Sequence, residues 1–298
     1  MFSPNYLTNL LKYSLGTNTH MLIIQFIAVS LLILFMSPGQ ANDSWQTLAP
    51  GMDLGTFSVT HPDQAGNANI SVLRIDPERW SLEFVGLSLT GGKSGQTARQ
   101  WSKTHGLTAA INAGMFATDH KTHVGYLRFQ KHVNNDNVNS YRSVAAFDPQ
   151  REGMPSFRLF DLDNPGVSLQ TILRDYASVV QNLRLIKRPA KNRWRHQEKR
   201  WSEAALGEDT SGRMLFIFCP TPYTMHDFNN VLLSLGIGLV AAQHLEGGSQ
   251  AQLYVNAGGV EVELSGSQGS PLHVEHGFSS VWPIPNVLGV RPRDSVTK

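Results

Sequence analysis

Residues 224–255 read TMHDFNNVLLSLGIGLVAAQHLEGGSQAQLYV and carry the clearest secondary-structure signals in the chain. Thr224 is a favoured helix N-cap, Asp227 follows it at the third position, and Gly236 suits a helix end. The stretch therefore opens with a predicted helix. The apolar run at 239–245 predicts a strand that ends at the turn EGGS, and QLYV predicts another strand. This order of elements is typical of α/β proteins.

Strand-like patterns dominate the chain before this stretch. Predicted strands lie at 55–60, 69–75, 80–89, 107–116 and 214–218. A further helix is predicted at 97–105, where Gly106 is suited to end it. Because strands outnumber helices and no linker divides the sequence after its N-terminal segment, we predict one α+β domain with a mixed β-sheet core and packed helices.

The N-terminal segment has the composition of a targeting signal. Residues 21–36 read MLIIQFIAVSLLILFM, with two polar side chains, and small residues follow as far as Ala41. We predict a signal peptide over 1–41 and an exported domain over 42–298. A membrane anchor is the alternative, because the apolar run falls just short of the ~20 residues that span a bilayer. In both cases the domain is expected to be periplasmic or secreted, with membrane contact only through this segment.

Composition excludes several classes of protein. The 298 residues include 16% charged residues, below the roughly 25% of an average soluble protein, and the sequence has no heptad, collagen or longer repeat. Coiled coils and solenoids are therefore excluded. Cys219 is the single cysteine, so an intramolecular disulfide is excluded as well. The sequence has no helix-turn-helix, zinc-finger or RNP signature, and we expect no nucleic-acid partner.

Positive charge is concentrated in the basic stretch, residues 184–200. Eight of the 25 lysines and arginines lie there, against one of the 23 acidic residues, Glu198. We predict a loop that attracts phosphate or an acidic polysaccharide, with Trp194 offering a ring on which a sugar can stack. The alternative is a solvated loop without a partner, because runs of charge are usually only surface.

Two polar residues stand at predicted strand ends beside glycines. Asn112 precedes Gly114, so its amide can donate and accept hydrogen bonds where a ligand can approach the backbone. A structural asparagine that holds the turn is the alternative. Glu246 precedes Gly247 and Gly248, and its carboxylate can act as a general acid or base or bind a divalent cation. The alternative there is a turn whose glutamate faces water.

The histidines give weaker signals. His123 lies in the predicted loop after the first of these strand ends, where an imidazole can shuttle a proton or contact phosphate near neutral pH. Isolated histidines such as His226 and His244 are predicted to have surface or hydrogen-bonding roles. No metal site and no cofactor are predicted, although binding of a divalent cation by Glu246 is kept as an alternative.

The order of several short motifs resembles the phosphodiester glycosidase family. The motifs are TARQW at 97–101, AAINAGMF at 109–116, VGYL at 124–127, ALG at 205–207, HLEGGSQAQLYV at 244–255 and PIPNVLGV at 283–290. The resemblance covers about residues 55–292, and the last motif is similar to the bacterial exported branch of the family. This family includes the uncovering enzyme, which removes N-acetylglucosamine from phosphodiester-linked glycans. The resemblance implies the same fold and a hydrolase whose partner is a carbohydrate or phosphoglycan.

The residue patterns and the resemblance together give a set of site residues. The expected catalytic residues are Glu246, Asn112 and Arg200, and the expected substrate-binding residues are Gly114, His123, Gly247, Gly248, Trp194 and Glu203. Two positions depart from the family pattern, since Glu246 stands where the family usually has Asp and Glu203 where it has Arg. Arg200 is the nearby basic residue that can substitute. We therefore expect an exported hydrolase of glycosidic bonds adjoining phosphate, with a catalytically altered glycan-binding protein on the same fold as the alternative.

Overall fold

A computed structural model describes residues 45–60, 67–266 and 281–293. These residues lie within one compact unit, Ser44–Lys298. Among them, no helix combines the length and the apolar character that crossing a bilayer requires. The predicted signal peptide or membrane anchor lies outside the described residues.

The described residues form three sheets. The first sheet has the strand order β1 (Trp45–Ala49), β2 (Met52–Thr60), β3 (Asn67–Ile75), β14 (Met214–Tyr223), β13 (Trp201–Asp209), β15 (Leu239–Gly247), β11 (Arg184–Lys187) and β12 (Lys191–Asn192). The second has the order β7 (His132–Asn135), β6 (Leu127–Phe129), β10 (Tyr176–Asn182), β8 (Ser143–Pro149) and β9 (Phe157–Asp161). The third has the order β17 (Val260–Ser265), β16 (Gln252–Ala257), β5 (Ala109–Asn112), β18 (Asn286–Pro292) and β4 (Trp80–Gly86). The helices are α1 (Leu87–Thr90), α2 (Ala98–His105), α3 (Leu169–Asp175) and α4 (Met225–Ser234), and a 3₁₀ turn spans Gly248–Gln250.

Every strand pairing within the described residues is antiparallel. The prediction of a mixed sheet is therefore wrong, while the coarser α+β class fits. The connection through α4 does make β14 and β15 run in the same direction. However, β13 lies between them and pairs antiparallel with both, so the two strands do not bond to each other.

The inner faces of the three sheets meet in one apolar core. Phe216 of β14, Phe147 of β8 and Phe84 of β4 represent the three sheets in this core, and each is at most 1% exposed. Burial of a side chain of this kind contributes about 1.5–3 kcal/mol. The shared core therefore fixes the sheets relative to one another and brings their strand ends together.

Helices cover the outer faces of the sheets. Helix α4 packs Phe228 against the first sheet, α3 packs Ile172 against the second, and α2 packs Trp101 against the third. The helices predicted at 97–105 and 224–236 are confirmed as α2 and α4, although α4 ends two residues early. Each sheet is thus buried on both faces over part of its area.

Local capping explains why these two helices were predictable. The Thr97 hydroxyl accepts from the N–H of Gln100 at 3.2 Å, and the Gln100 side chain accepts from the N–H of Thr97 at 2.9 Å. Gly106 ends α2 with a left-handed φ of 67°. In α4 the Thr224 hydroxyl accepts from the N–H of Asp227 at 3.1 Å. Such contacts join residues three or four positions apart, so they are visible in the sequence.

Several strand boundaries differ from the predictions, and the strand predicted at 107–116 is limited to Ala109–Asn112. The strand predicted at 80–89 ends at Gly86, because the chain turns there into helix α1. The strand predicted at 214–218 continues to Tyr223 through Pro220 and Pro222. The pairing of β14 with β3 has ended before these prolines, and its register with β13 is irregular there, so the missing N–H groups cost no ladder bond.

The basic stretch is only partly a loop. Its first half forms β11 and β12 at the edge of the first sheet, joined by a turn at 188–190, and residues 193–200 lack helix or strand. Arg184 forms ion pairs with Asp161 at 2.9 Å and with Asp163 at 2.7 Å. Arg188 pairs with the buried Glu208. Much of the predicted positive charge is therefore neutralised by acids that lie nearby in space.

Candidate active site

Asn112 at the end of β5 joins the two glycine-bordered motifs. Its Nδ2 donates to the carbonyl of Gln250 at 2.8 Å, and its Oδ1 accepts from the N–H of Gln252 at 2.7 Å. The residue is 2% exposed. The amide thus holds the 3₁₀ turn after β15 against β5. These two bonds give Asn112 a positioning role, and its predicted catalytic role stays a prediction.

Gly114 is required where the ends of β5 and β10 meet. Its φ is 150°, and a Cβ atom on this residue would overlap both His123 and Asn182. The Asn182 side chain donates to the carbonyl of Ala113 at 3.0 Å. The absence of a side chain at Gly114 therefore allows the two strand ends to approach closely. Its predicted contact with substrate stays a prediction.

His123 lies beneath this junction and is fully buried. Its Nε2–H donates to the carbonyl of Gln181 at 2.9 Å, and its Nδ1 has no hydrogen-bond partner among the described residues. Burial lowers the pKa of His123 to about 4, although the bond to Gln181 favours the protonated form. A buried imidazole that is neutral at pH 7 is poorly suited to shuttle a proton there, and its predicted contact with substrate stays a prediction.

A second buried histidine forms an ion pair within the first sheet. His244 of β15 is 5% exposed, and its Nδ1 lies 2.6 Å from Oε1 of Glu203, which is 1% exposed. The indole N–H of Trp201 donates to the other oxygen of Glu203 at 3.0 Å. Burial opposes the charge of His244, but Glu203, its hydrogen bond and Glu246 together raise the pKa of His244 above its ordinary value. Glu203 therefore positions His244, and its predicted contact with substrate stays a prediction.

Glu246 stands two residues after His244 and is partly exposed. One of its carboxylate oxygens accepts from the N–H of Gly247 at 3.0 Å. Burial raises the pKa of Glu246 above its ordinary value, although His244 and the Gly247 N–H favour its ionised form. A carboxyl group whose pKa lies closer to neutrality, and which reaches solvent, has the properties of a general base.

The two glycines after Glu246 are required for different reasons, Gly247 by side-chain packing and Gly248 by its backbone conformation. A Cβ on Gly247 would overlap the indole of Trp201. Gly248 has a left-handed φ of 66°, and its carbonyl accepts from the Ser202 hydroxyl at 2.9 Å. These contacts tie the turn to the start of β13. They account for both glycines without a ligand, and the predicted substrate contacts stay predictions.

A cavity of about 280 Å³ adjoins this cluster. Its lining residues are Ser140, Tyr141, Arg142, Leu183, Arg184, Arg193, Trp194 and Arg195. The Leu183 carbonyl accepts from the N–H of His244 at 2.8 Å, so one lining residue is bonded to β15, while none of Glu203, His244 and Glu246 lines the cavity itself. The Trp194 indole donates to the carbonyl of Arg184 at 2.8 Å, so its ring is held at the cavity wall. Stacking of a sugar on this ring stays a prediction.

The positive charge of the cavity comes mainly from two arginines. Arg193 and Arg195 are exposed and form no ion pair with any acidic residue in the described part of the chain. Arg200 directly precedes β13, whose first residues lie beside the turn that follows Glu246. It therefore lies at the same end of the first sheet as Glu246, and its catalytic role stays a prediction.

The sequence analysis did not assign His244 or Asn182 to the site. One sequence feature pointed to His244, because an ionisable residue in an otherwise apolar strand, close to a glutamate and two glycines, suggests a functional site. Asn182 carried none. Its role depends on a contact with Ala113, which lies 69 positions away in the chain.

Comparisons with known proteins agree with this architecture. Residues 105–291 match the phosphodiester glycosidase family. The catalytic domain of zebrafish N-acetylglucosamine-1-phosphodiester alpha-N-acetylglucosaminidase, auto-inhibited by its pro-peptide, has a similar fold, with a TM-score of 0.63 and 13% identity over 85% of this chain and 87% of that chain. A hypothetical protein from Synechocystis is similar at a TM-score of 0.56 and 13% identity, over 84% of this chain and 64% of that one. No curated protein sequence matches the chain. The family match covers more than half of the sequence and confirms the resemblance seen in the motifs, and the chain belongs to the phosphodiester glycosidase family.

Proposed function

We propose that the protein is an exported hydrolase that cleaves the bond between a sugar and a phosphodiester. The family match supports a phosphodiester glycosidase. The observation that carries the proposal is the partly exposed Glu246 carboxyl, whose pKa is raised, beside the buried His244–Glu203 pair and a cationic cavity. A basic carboxylate and a site for an anionic leaving group are the two parts that this reaction needs.

In the proposed reaction, ionised Glu246 accepts a proton from a water molecule whose oxygen attacks the anomeric carbon of the sugar. The bond between that carbon and the phosphate oxygen breaks, and its electron pair leaves with the phosphate. The products are a free sugar and a phosphomonoester. The phosphomonoester leaves readily because its conjugate acid is much stronger than an alcohol, so the step needs little help from a general acid. One accessible carboxylate is then sufficient.

Burial is the main cause of the raised pKa of Glu246, and the buried pair modifies it. His244 favours the ionised form of Glu246, whereas the second carboxylate, Glu203, disfavours it. Glu203 holds the Nδ1–H of His244, which fixes the orientation of the ring. In the proposal, the pair keeps Glu246 ionised at neutral pH while leaving its pKa high enough for proton transfer.

The leaving phosphate is assigned to the cavity beside His244. Arg193 and Arg195 provide two positive charges there, and Trp194 provides an apolar ring. Positive charge near the phosphate stabilises the charge that develops as the glycosidic bond breaks. This arrangement favours a sugar-1-phosphodiester or a phosphorylated or acidic envelope polysaccharide as substrate.

A glycan-binding protein without catalysis is the second candidate. The observation that favours it is Glu203, which places a buried carboxylate where the family usually has arginine. The same cavity then binds a phosphoglycan through Trp194 and its arginines, and no bond is cleaved.

The two candidates are separated by incubating the purified protein with a sugar-1-(methyl phosphate) diester and measuring released sugar. For the hydrolase, we expect turnover that falls at least ~100-fold in Glu246→Gln, because removal of a general base typically costs that much. Glu152→Gln, which changes an exposed glutamate far from the cluster in sequence, is the matched control and keeps full activity. Binding of phosphoglycan without release of sugar by the wild type would establish the second candidate.

Export is the remaining part of the proposal, and it depends on the apolar run at 21–36. We expect the protein in the periplasm or the medium of the cells that make it, with a mature N-terminus at Asn42. N-terminal sequencing after cell fractionation tests this. A full-length chain in the cytoplasm would overturn it, and a full-length chain in the membrane fraction would identify an anchor.

A further inference from the structure

We propose that His196, His226 and Asp227 bind one divalent transition-metal ion, for which Zn²⁺ is the best match, and that this ion fastens residues 193–200 to helix α4. One ligand atom from each of the three side chains lies within 4.8 Å of the other two. The imidazole rings of His196 and His226 lie 3.8 Å apart between centroids. Two nitrogen donors and one carboxylate therefore converge on a single point at the protein surface.

The hydrogen bonding of His226 suits a metal ligand. Its Nδ1 lies 2.7 Å from the carbonyl oxygen of Trp194, so the Nδ1–H donates and Nε2 keeps a free lone pair. Metal-ligating histidines almost always donate their second ring N–H to a carbonyl or carboxylate, which fixes the tautomer and the orientation of the ring. His226 has this outer contact already in place.

Asp227 also has a fixed side chain. Its Oδ2 accepts from the Thr224 hydroxyl at 2.6 Å, which leaves Oδ1 as the second carboxylate oxygen. His226 and Asp227 stand in the first turn of α4, where the helix dipole opposes a cation. The negative charge of Asp227 offsets this effect, and it makes the carboxylate a necessary member of the site.

The donor set selects the class of metal. Imidazole nitrogens suit zinc and its neighbours, whereas calcium and magnesium prefer sites built from oxygen. In a tetrahedral zinc site the ligand atoms lie about 3.3 Å apart, so the three groups must move closer by roughly 1.5 Å. His196 is exposed on a segment without helix or strand, and it can make most of this movement. Water would occupy the fourth position.

The site connects the cavity wall to the body of the protein. Arg193, Trp194 and Arg195 line the cavity, and His196 follows them directly. An ion held between His196 and α4 would therefore restrain the arginines and the ring. The sequence pattern did not indicate this site, because His196 lies 30 positions from His226. Metal binding itself does not depend on the proposed hydrolase activity.

Zinc binding to the full chain without a histidine tag tests the proposal. Protein stripped with EDTA and freed of the chelator is titrated with Zn²⁺ in competition with a chromophoric zinc indicator. We expect one equivalent to bind, and we expect the affinity to fall at least ~10-fold in His226→Ala and in His196→Ala. His120→Asn is the matched control, since it removes another exposed imidazole and asparagine tolerates the positive φ of this residue. Wild-type affinity in both ligand variants, or no binding to the wild type at ~100 μM Zn²⁺, would overturn the site.

A second measurement tests the restraint on the segment. Trypsin cleaves after the basic residues of 193–200, and we expect Zn²⁺ to slow this cleavage at least ~5-fold in the wild type but not in His196→Ala. Equal protection by zinc in both proteins would show that the ion does not act through His196. Far-UV circular dichroism checks that each variant is folded.

Discussion

His123 and His244 are both buried at the strand ends that form the candidate site, but their pKa values shift in opposite directions. His123 is paired only with a neutral carbonyl, and burial lowers its pKa to about 4. His244 is paired with the Glu203 carboxylate, and its pKa is raised. Burial alone therefore does not decide the charge of a histidine, because one carboxylate neighbour reverses the effect. The site combines an imidazole under β5 that is neutral at pH 7 with a more readily charged one beside Glu246.

The largest effect is expected when the partner of His244 is made neutral. In Glu203→Gln, a buried charge loses its counter-ion, so we expect a loss of about 3 kcal/mol in the free energy of unfolding. The pKa of His244 should also fall below its ordinary value, as that of His123 does. Urea denaturation measures the first change, and NMR titration of the histidine ring protons measures the second.

Glu263→Gln is the matched control, because Glu263 pairs with Arg99 at the surface and its replacement should cost less than about 1 kcal/mol.

The His244–Glu203 pair also predicts the direction in which stability changes with pH. Since the folded pKa of His244 is raised, its stabilisation is complete below the ordinary histidine pKa and is lost as pH rises through the raised value. An unchanged titration of His244 in Glu203→Gln would show that Glu203 is not the cause of the difference between the two histidines.

A slightly smaller effect is expected from His123, with the opposite sign. Its pKa is lowered in the folded state, so its contribution to stability is complete above the ordinary value of 6.5 and is lost as pH falls towards 4. This difference corresponds to about 3 kcal/mol at most. Urea denaturation at pH 7 and pH 4 should show a larger loss in the wild type than in His123→Gln.

The NMR signal of His123 in the wild type provides a check that does not require the variant to fold. Its ring protons should show no titration between pH 8 and pH 5, while those of His244 should titrate above pH 6.5. A normal titration of His123 would mean that the imidazole reaches water, and the contrast between the two residues would be lost.

Features of the fold that depend on contacts between residues close in the sequence could be predicted, whereas those that depend on distant residues could not. Helices α2 and α4 were predicted because Thr97 and Thr224 cap them through contacts only three positions away. The family and the glycine-bordered strand ends were also recognised from short motifs. The antiparallel pairing was missed, because the sequence order around α4 does not show that β13 inserts between its neighbours.

The site chemistry depends on contacts that are more distant in the chain. The carboxylate that charges His244 lies 41 positions away, and the carbonyl that bonds His123 lies 58 positions away. For His244 the predicted surface or hydrogen-bonding role proves to be a buried hydrogen bond. The burial of His123, which opposes the predicted proton shuttle, was missed because nothing local in the sequence indicates it.

A smaller effect is expected from the backbone next to His123, at Gly114. Gly114→Ala would push a methyl group into His123 and Asn182, so we expect a loss of about 2 kcal/mol in the free energy of unfolding. Gly153→Ala is the control, because this residue also has a positive φ but a Cβ atom there would meet no other atom within 4 Å. Its cost should be limited to backbone strain, about 1 kcal/mol. Equal losses in thermal or urea denaturation would show that the close approach at Gly114 carries no special constraint.

In the proposed function, Glu246 is the base of a phosphodiester glycosidase, and its pKa is raised by burial beside the His244–Glu203 pair. The most direct test is the pH dependence of kcat/KM for a sugar-1-phosphodiester. Because the ionised carboxylate is required and burial raises its pKa, we expect the rate to rise with pH through a midpoint above the ordinary glutamate value, and this limb to disappear in Glu246→Gln. A pH-independent wild-type rate, or a Glu246→Gln variant with the wild-type rate and profile, would contradict the account.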